Sequence, residues 1–113
     1  MTTPGTEIIE LETGVYARLH EGLTNAGIIV GDDIETQTRQ AINNIKSILS
    51  AAGLSLSHIV KTTVFLKDIQ HFSLMNNIYK EYFYEDAPAR SCFEVSNLPM
   101  NALIEIESIA IAE

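Results

Sequence analysis

The 113-residue sequence holds one cysteine, Cys92, no tryptophan, three prolines, and seven Lys and Arg residues against fifteen Asp and Glu. A single cysteine excludes an intrachain disulfide and fits a reducing compartment. The net charge of −8 argues against a nucleic-acid partner, because phosphates require a basic face to neutralise them. No run approaches the roughly 20 apolar residues of a membrane helix. The opening "MTTPGTEIIELETG" has neither a basic start nor an apolar signal core. A cytoplasmic protein with no membrane partner is the expectation. Glycine is sparse where phosphate chemistry would need it: Gly22 and Gly27 lack the spacing and following lysine of a phosphate-binding loop. His20, His58 and His71 are scattered over turns and strand edges, so neither a metal-ligand set nor a Cys–His pair emerges.

Hydrophobic residues make up 46% and charged residues 19%, a globular balance. The length suits one domain over residues 1–113, enough to bury roughly two-thirds of the unfolded chain's surface. Two short extended runs flank Thr13-Gly14 and predict a hairpin. Ile28–Val30 adds a brief third strand. A first helix follows, capped by Asp32 or Asp33, with Asp32 and Glu35 at capping-box spacing. Ile34, Ala41, Ile42, Ile45, Ile48, Leu49 and Ala52 repeat at helical period. Glu35, Gln37, Arg39, Asn43, Lys46 and Ser50 form the wet side, and Gly53 closes the helix.

"HIVKTTVFLK" reads as a strand with Val60, Thr62, Val64 and Leu66 on one face. A second amphipathic helix spans about Ile69 to Phe83, with Phe72, Met75, Asn76, Tyr79, Tyr82 and Phe83 on one stripe. "PARSCFEV", the turn "SNLPMN" and the long strand "ALIEIESIAIA" complete a β-β-β-α-β-α-β-β order. This is an α+β class: a two-layer sandwich with both helices on one face of a mixed sheet. On the last strand Ile104, Ile106, Ser108 and Ala110 face the helices. Leu103, Glu105, Glu107, Ile109 and Ile111 face away and are too apolar for a simple wet surface. Other copies covering that face would resolve this, so a homo-oligomer is expected.

Alternation along Pro88–Val95 puts Arg90, Cys92 and Glu94 on one face. Arginine is almost never buried without a partner. If the last two strands pair as a hairpin, Arg90 can meet a glutamate across the sheet, as an ion pair with Glu94, Glu105 or Glu107. The alternative is that Arg90 awaits a ligand. Cys92 reads as packing, and Asn76 as either a cap or a ligand contact.

From "DDIETQTRQAINNIKSILSAAGLSLSHIVKTTVFLKDIQHFSLMNNIYKEYF" through "APARSCFEVSNLPMNALIEIESIAIAE" the chain resembles the Rid family, also called the YjgF or "endoribonuclease L-PSP" family. The resemblance implies a chorismate-mutase-like fold, a homotrimer with ligand clefts between subunits, and no cofactor. Its best-defined members hydrolyse 2-iminobutanoate or 2-iminopropanoate to the 2-oxoacid and ammonia. By that resemblance Arg90 holds the substrate carboxylate, Cys92 and Asn76 line the cleft, and Glu105 activates or orients water. The chain departs from the family pattern in its N-terminal third. The family's "GPYSQ"-like segment would fall on Pro4–Ile8, with Thr6 where the tyrosine is expected, and "SGQ" is recovered neither at Ala17–Leu19 nor at Leu19–Glu21. A weak or inactive trimer that binds small carboxylates is therefore an alternative, and a ribonuclease a further one that the charge disfavours.

Overall fold

The structure is a computed structural model that describes residues 7–10 and 15–21 by their backbone and residues 31–111 in full. The elements are β1 (Glu7–Glu10), β2 (Val15–Glu21), α1 (Ile34–Ala51), β3 (Ile59–Leu66), α2 (Phe72–Tyr82), β4 (Ala89–Glu94) and β5 (Ile104–Ala110). Among the described residues the sheet has five strands in the order β1-β2-β5-β3-β4. The β3–β4 pair is parallel and the others antiparallel, because α2 serves as the crossover that parallel neighbours require. The mixed sheet with two helices agrees with the expected α+β class. The expected strand Ile28–Val30 lies outside the described residues. No helix among the described residues is long and apolar enough to cross a membrane.

Helix α1 starts at Asp33, whose carboxylate accepts the Thr36 N–H at 2.8 Å. The N-cap is therefore Asp33, and Asp32 with Glu35 forms no capping box. Hydrogen bonds from the Thr36 backbone N–H and, secondarily, its side chain hold the Asp33 carboxyl below its usual range. The helix ends in a Schellman arrangement: Leu54 N–H reaches Leu49 O at 2.7 Å, and Gly53 N–H reaches Ser50 O at 3.0 Å. Gly53 sits at φ +76°, where a side chain would be strained.

Ile42, Ile45 and Leu49 of α1 pack with Met75 and Tyr79 of α2 over Val64, Leu66, Ile104 and Ile106 of the sheet. Two positions depart from the sequence reading. Gln37, expected on the wet side of α1, is 1% exposed. Its Oε1 accepts the Leu103 N–H at 2.8 Å and its Nε2 donates to Gly31 O at 3.1 Å. Gln37 thereby ties the segment before α1 to the start of β5 through two backbone groups, and its own buried amide is satisfied at both ends. Gln37→Ala is expected to destabilise the fold by about 1–3 kcal/mol, seen as a lower urea midpoint at unchanged slope; an unchanged midpoint contradicts the bridge.

The second departure is in β3, where Ile59 rather than Val60 joins the core. Ile59 faces Ala110 and Lys61 faces Ile109, so Val60 is the extra residue of a β-bulge and stands 49% exposed. Beyond the bulge, Thr62, Val64 and Leu66 point at the helices as expected.

Candidate functional site

β4 is an edge strand, and β3 lies between it and β5. The hairpin between the last two strands therefore does not form. Residues 95–103 are long enough to step across β3, and Met100 and Asn101, both at positive φ, turn the chain back. Register then decides which side chains share a face. Arg90 lies beside Thr62 and Thr62 beside Ser108, while Cys92, Val64 and Ile106 form the next such row. Both rows face the helices, since Thr62, Val64, Ile106 and Ser108 are buried there. Phe93, Phe65 and Glu105 form a row on the opposite face.

Arg90 and Glu105 are consequently on opposite faces of one sheet. The internal ion pair expected for Arg90 is absent among the described residues. Glu94 instead accepts the Ile69 N–H at 2.8 Å, and Glu105 and Glu107 point to the other side. The partners of Arg90 come from α2. Its Nη1 donates to Asn76 Oδ1 at 2.6 Å. Its guanidinium lies 4.6 Å from the Tyr79 ring centroid and 5.3 Å from that of Phe72. Cation–π contact with two rings and one amide contact fix the guanidinium, and among the described residues most of its donors have no partner. Tyr79 is itself held by a buried hydrogen bond, OH to Thr62 Oγ1, at 2.7 Å. Burial pushes its phenol up, against the opposing effects of Thr62 and Arg90. Tyr79→Phe is expected to cost about 1 kcal/mol of stability while preserving the ring under Arg90. A stability loss without a change in ligand affinity is the outcome to look for.

An open cavity of about 360 Å³ adjoins this cluster, lined by Asn76, Tyr79, Lys80, Phe83, Pro88 and Arg90 among others. Its size falls at the lower end of small-molecule sites. Cys92 lies on the same face as Arg90, half-buried against the core. Burial raises its thiol pKa, with Arg90 opposing, so the protonated thiol prevails near neutrality and thiolate attack is not supported. The structure thus brings Arg90, Asn76 and Cys92 to one face. The stacking roles of Phe72 and Tyr79 and the placement of Lys80 were missed from sequence, although Asn76, Tyr79 and Lys80 at i, i+3 and i+4 carried the signal.

On the other face, Glu105 is half-buried beside Phe65 and Phe93, whose rings lie 6.4 Å apart. Burial, and secondarily the Glu107 charge, raises its carboxyl above the usual range. Phe93 is 53% exposed and Ile109 is only partly covered. This face therefore combines exposed apolar area with a perturbed acid. Thr6 lies outside the described residues, as do the side chains of Ala17–Glu21.

Comparison with known proteins agrees with this architecture. The family pattern described as endoribonuclease L-PSP matches residues 8–112. A RutC family protein of Pyrococcus horikoshii is 56% identical over 87 residues, 77% of this chain and 69% of that protein. The 2-iminobutanoate/2-iminopropanoate deaminase of Salmonella typhimurium is 48% identical over 85 residues, 73% of this chain and 66% of that protein. Among solved structures, a protein of unknown function of the conserved Rid family from Yersinia pestis superposes with a TM-score of 0.89 at 41% identity, covering 99% of this chain and 90% of that one. The YjgF product of Escherichia coli superposes with a TM-score of 0.87 at 38% identity, covering 94% and 86%. With the pattern spanning nearly all of its length, the chain belongs to the endoribonuclease L-PSP family, the Rid/YjgF proteins.

Proposed function

We propose that the protein is a hydrolase of 2-imino acids of the 2-iminobutanoate and 2-iminopropanoate type, releasing the 2-oxoacid and ammonia without a cofactor. The observation that carries this reading is Arg90: a guanidinium oriented by Asn76, Phe72 and Tyr79, facing a cavity, with no carboxylate partner among the described residues. A planar, permanently charged fork suits a bidentate grip on a substrate carboxylate. The 2-imino carbon then lies beside the anchor. Water adds to the C=N bond, the resulting carbinolamine loses its nitrogen as ammonia, and the carbonyl forms. One group must accept the water proton, and Glu105, whose carboxyl is raised above its ordinary value by burial and then by the Glu107 charge, is a stronger base than an exposed glutamate.

Glu105 cannot reach an Arg90 ligand through its own sheet. The reading therefore requires a second copy, whose Glu105 face covers the β4 edge of the first; a homotrimer closes such contacts without leaving one open. The exposed Phe93 and partly covered Ile109 on the Glu105 face support its burial against another chain. Ammonia release from 2-iminobutanoate generated in place by an amino-acid dehydratase tests the activity. Turnover above the spontaneous rate supports the reading, and a rate equal to the spontaneous one removes it.

A second reading, a trimer that binds small carboxylates without turnover, draws on Thr6 standing where the family pattern carries tyrosine. Stabilisation by 2-oxoacids without ammonia release would favour it. A ribonuclease draws no support from a chain of net charge −8.

A further inference from the structure

The cavity beside Arg90 carries a second cation. Lys80 stands four residues after Asn76 on α2, so the two share one helix face. Asn76 holds the Arg90 guanidinium at one end, and Lys80 rises from the next turn, about 6 Å further along the axis. In a protein of net charge −8, a cavity lined by two cations and no acid runs against the overall balance. The nearby carboxylates do not line it. Glu81 is gripped by both Arg39 nitrogens at 2.9 and 3.2 Å, which lowers its pKa. Glu85 and Asp86 line a neighbouring cavity together with Lys46. Among the described residues no carboxylate pairs with Lys80. Phe83 and Pro88 supply apolar wall, suited to a short methylene chain.

We propose that Lys80 makes this cavity selective for 2-imino and 2-oxo acids that carry a second anionic group at their far end. This rests on Arg90 being the anchor for the 2-carboxylate. The acid group next to the reacting carbon docks on Arg90, the chain crosses the apolar wall, and the distal carboxylate meets the Lys80 ammonium. A monocarboxylate uses only the first contact. Lys80 is a specificity-determining residue, and it takes no part in the chemical step.

Titration calorimetry of the intact protein with 2-oxoglutarate and 2-oxobutanoate tests this directly. Wild type is expected to bind 2-oxoglutarate about five-fold more tightly, with the preference shrinking as salt screens the distal contact. Lys80→Gln abolishes the preference while leaving the 2-oxobutanoate Kd unchanged. Lys80→Arg restores it, and Lys80→Glu inverts it. Equal affinity for the two acids in wild type, or a preference that survives Lys80→Gln, overturns the proposal while leaving the carboxylate site intact. Failure of both acids to bind removes both the proposal and the carboxylate-site reading.

Discussion

Replacing Arg90 with alanine is expected to lower kcat/KM for 2-iminobutanoate hydrolysis by about thirtyfold or more, since truncating one side of a hydrogen-bonded charge pair costs about 2–5 kcal/mol. The loss should fall mainly on KM if the arginine grips substrate and transition state alike. Arg90→Lys should recover little. An ammonium is a point charge that cannot offer two parallel donors, and it would lose the guanidinium's contact with the Phe72 and Tyr79 rings. Folding should be only mildly affected, because Arg90 pairs with no carboxylate among the described residues and its direct hydrogen bond goes to Asn76. The combination of near-native Tm with lost affinity separates a ligand anchor from a structural ion pair. A variant that retains wild-type KM would show that the anchor lies elsewhere.

Glu105→Gln should have an effect of similar or larger size on turnover, about 10²- to 10⁴-fold, the range for a positioned general base. Its pH dependence follows from the direction of the shift. Burial raises the Glu105 carboxyl above its ordinary value of 4.5, with Glu107 adding to the effect. The base works only when deprotonated, so activity rises with pH through this elevated value, and the acid limb lies above that of an ordinary glutamate. The stability effect runs the other way. A carboxyl whose folded-state pKa is raised favours the fold below its unfolded pKa, and that contribution is lost as pH rises through the folded value. Glutamine is neutral throughout, so Glu105→Gln should match or slightly exceed wild-type Tm at neutral pH while being nearly inactive. A variant that is both unstable and inactive would instead make Glu105 a structural residue.

Much of this was legible in the sequence, and the rest was hidden for identifiable reasons. The helical period of Ile34 to Leu49 and the alternation of Ile104 to Ala110 announced which faces are buried, because burial repeats with the backbone. Alternation also put Arg90 and Cys92 on one face. What alternation cannot supply is strand order. The wish to pair "PARSCFEV" with "ALIEIESIAIA" followed chain proximity, whereas β3 lies between them, and the arginine–glutamate ion pair fell with that hairpin. Gln37 misled because a polar residue on a helix reads as solvated; its two backbone partners, Gly31 and Leu103, are brought to it only by the tertiary fold. Val60 misled because one bulge residue shifts the alternation, and nothing in "HIVKTTVFLK" marks it. Lys80 was not singled out in the sequence, since a cavity exists only once α2 and the start of β4 come together.

The opposite-face placement of Arg90 and Glu105 makes the central claim testable in one measurement: the activity of oligomers co-assembled from Arg90→Ala and Glu105→Gln chains, each inactive alone. If every site takes its arginine from one chain and its glutamate from the next, random assortment gives both native residues at about one site in four. The mixed protein should then recover about a quarter of wild-type ammonia release. No recovery in verified mixed oligomers would mean that the two residues serve a site within one chain, or do not act together, and would contradict the account.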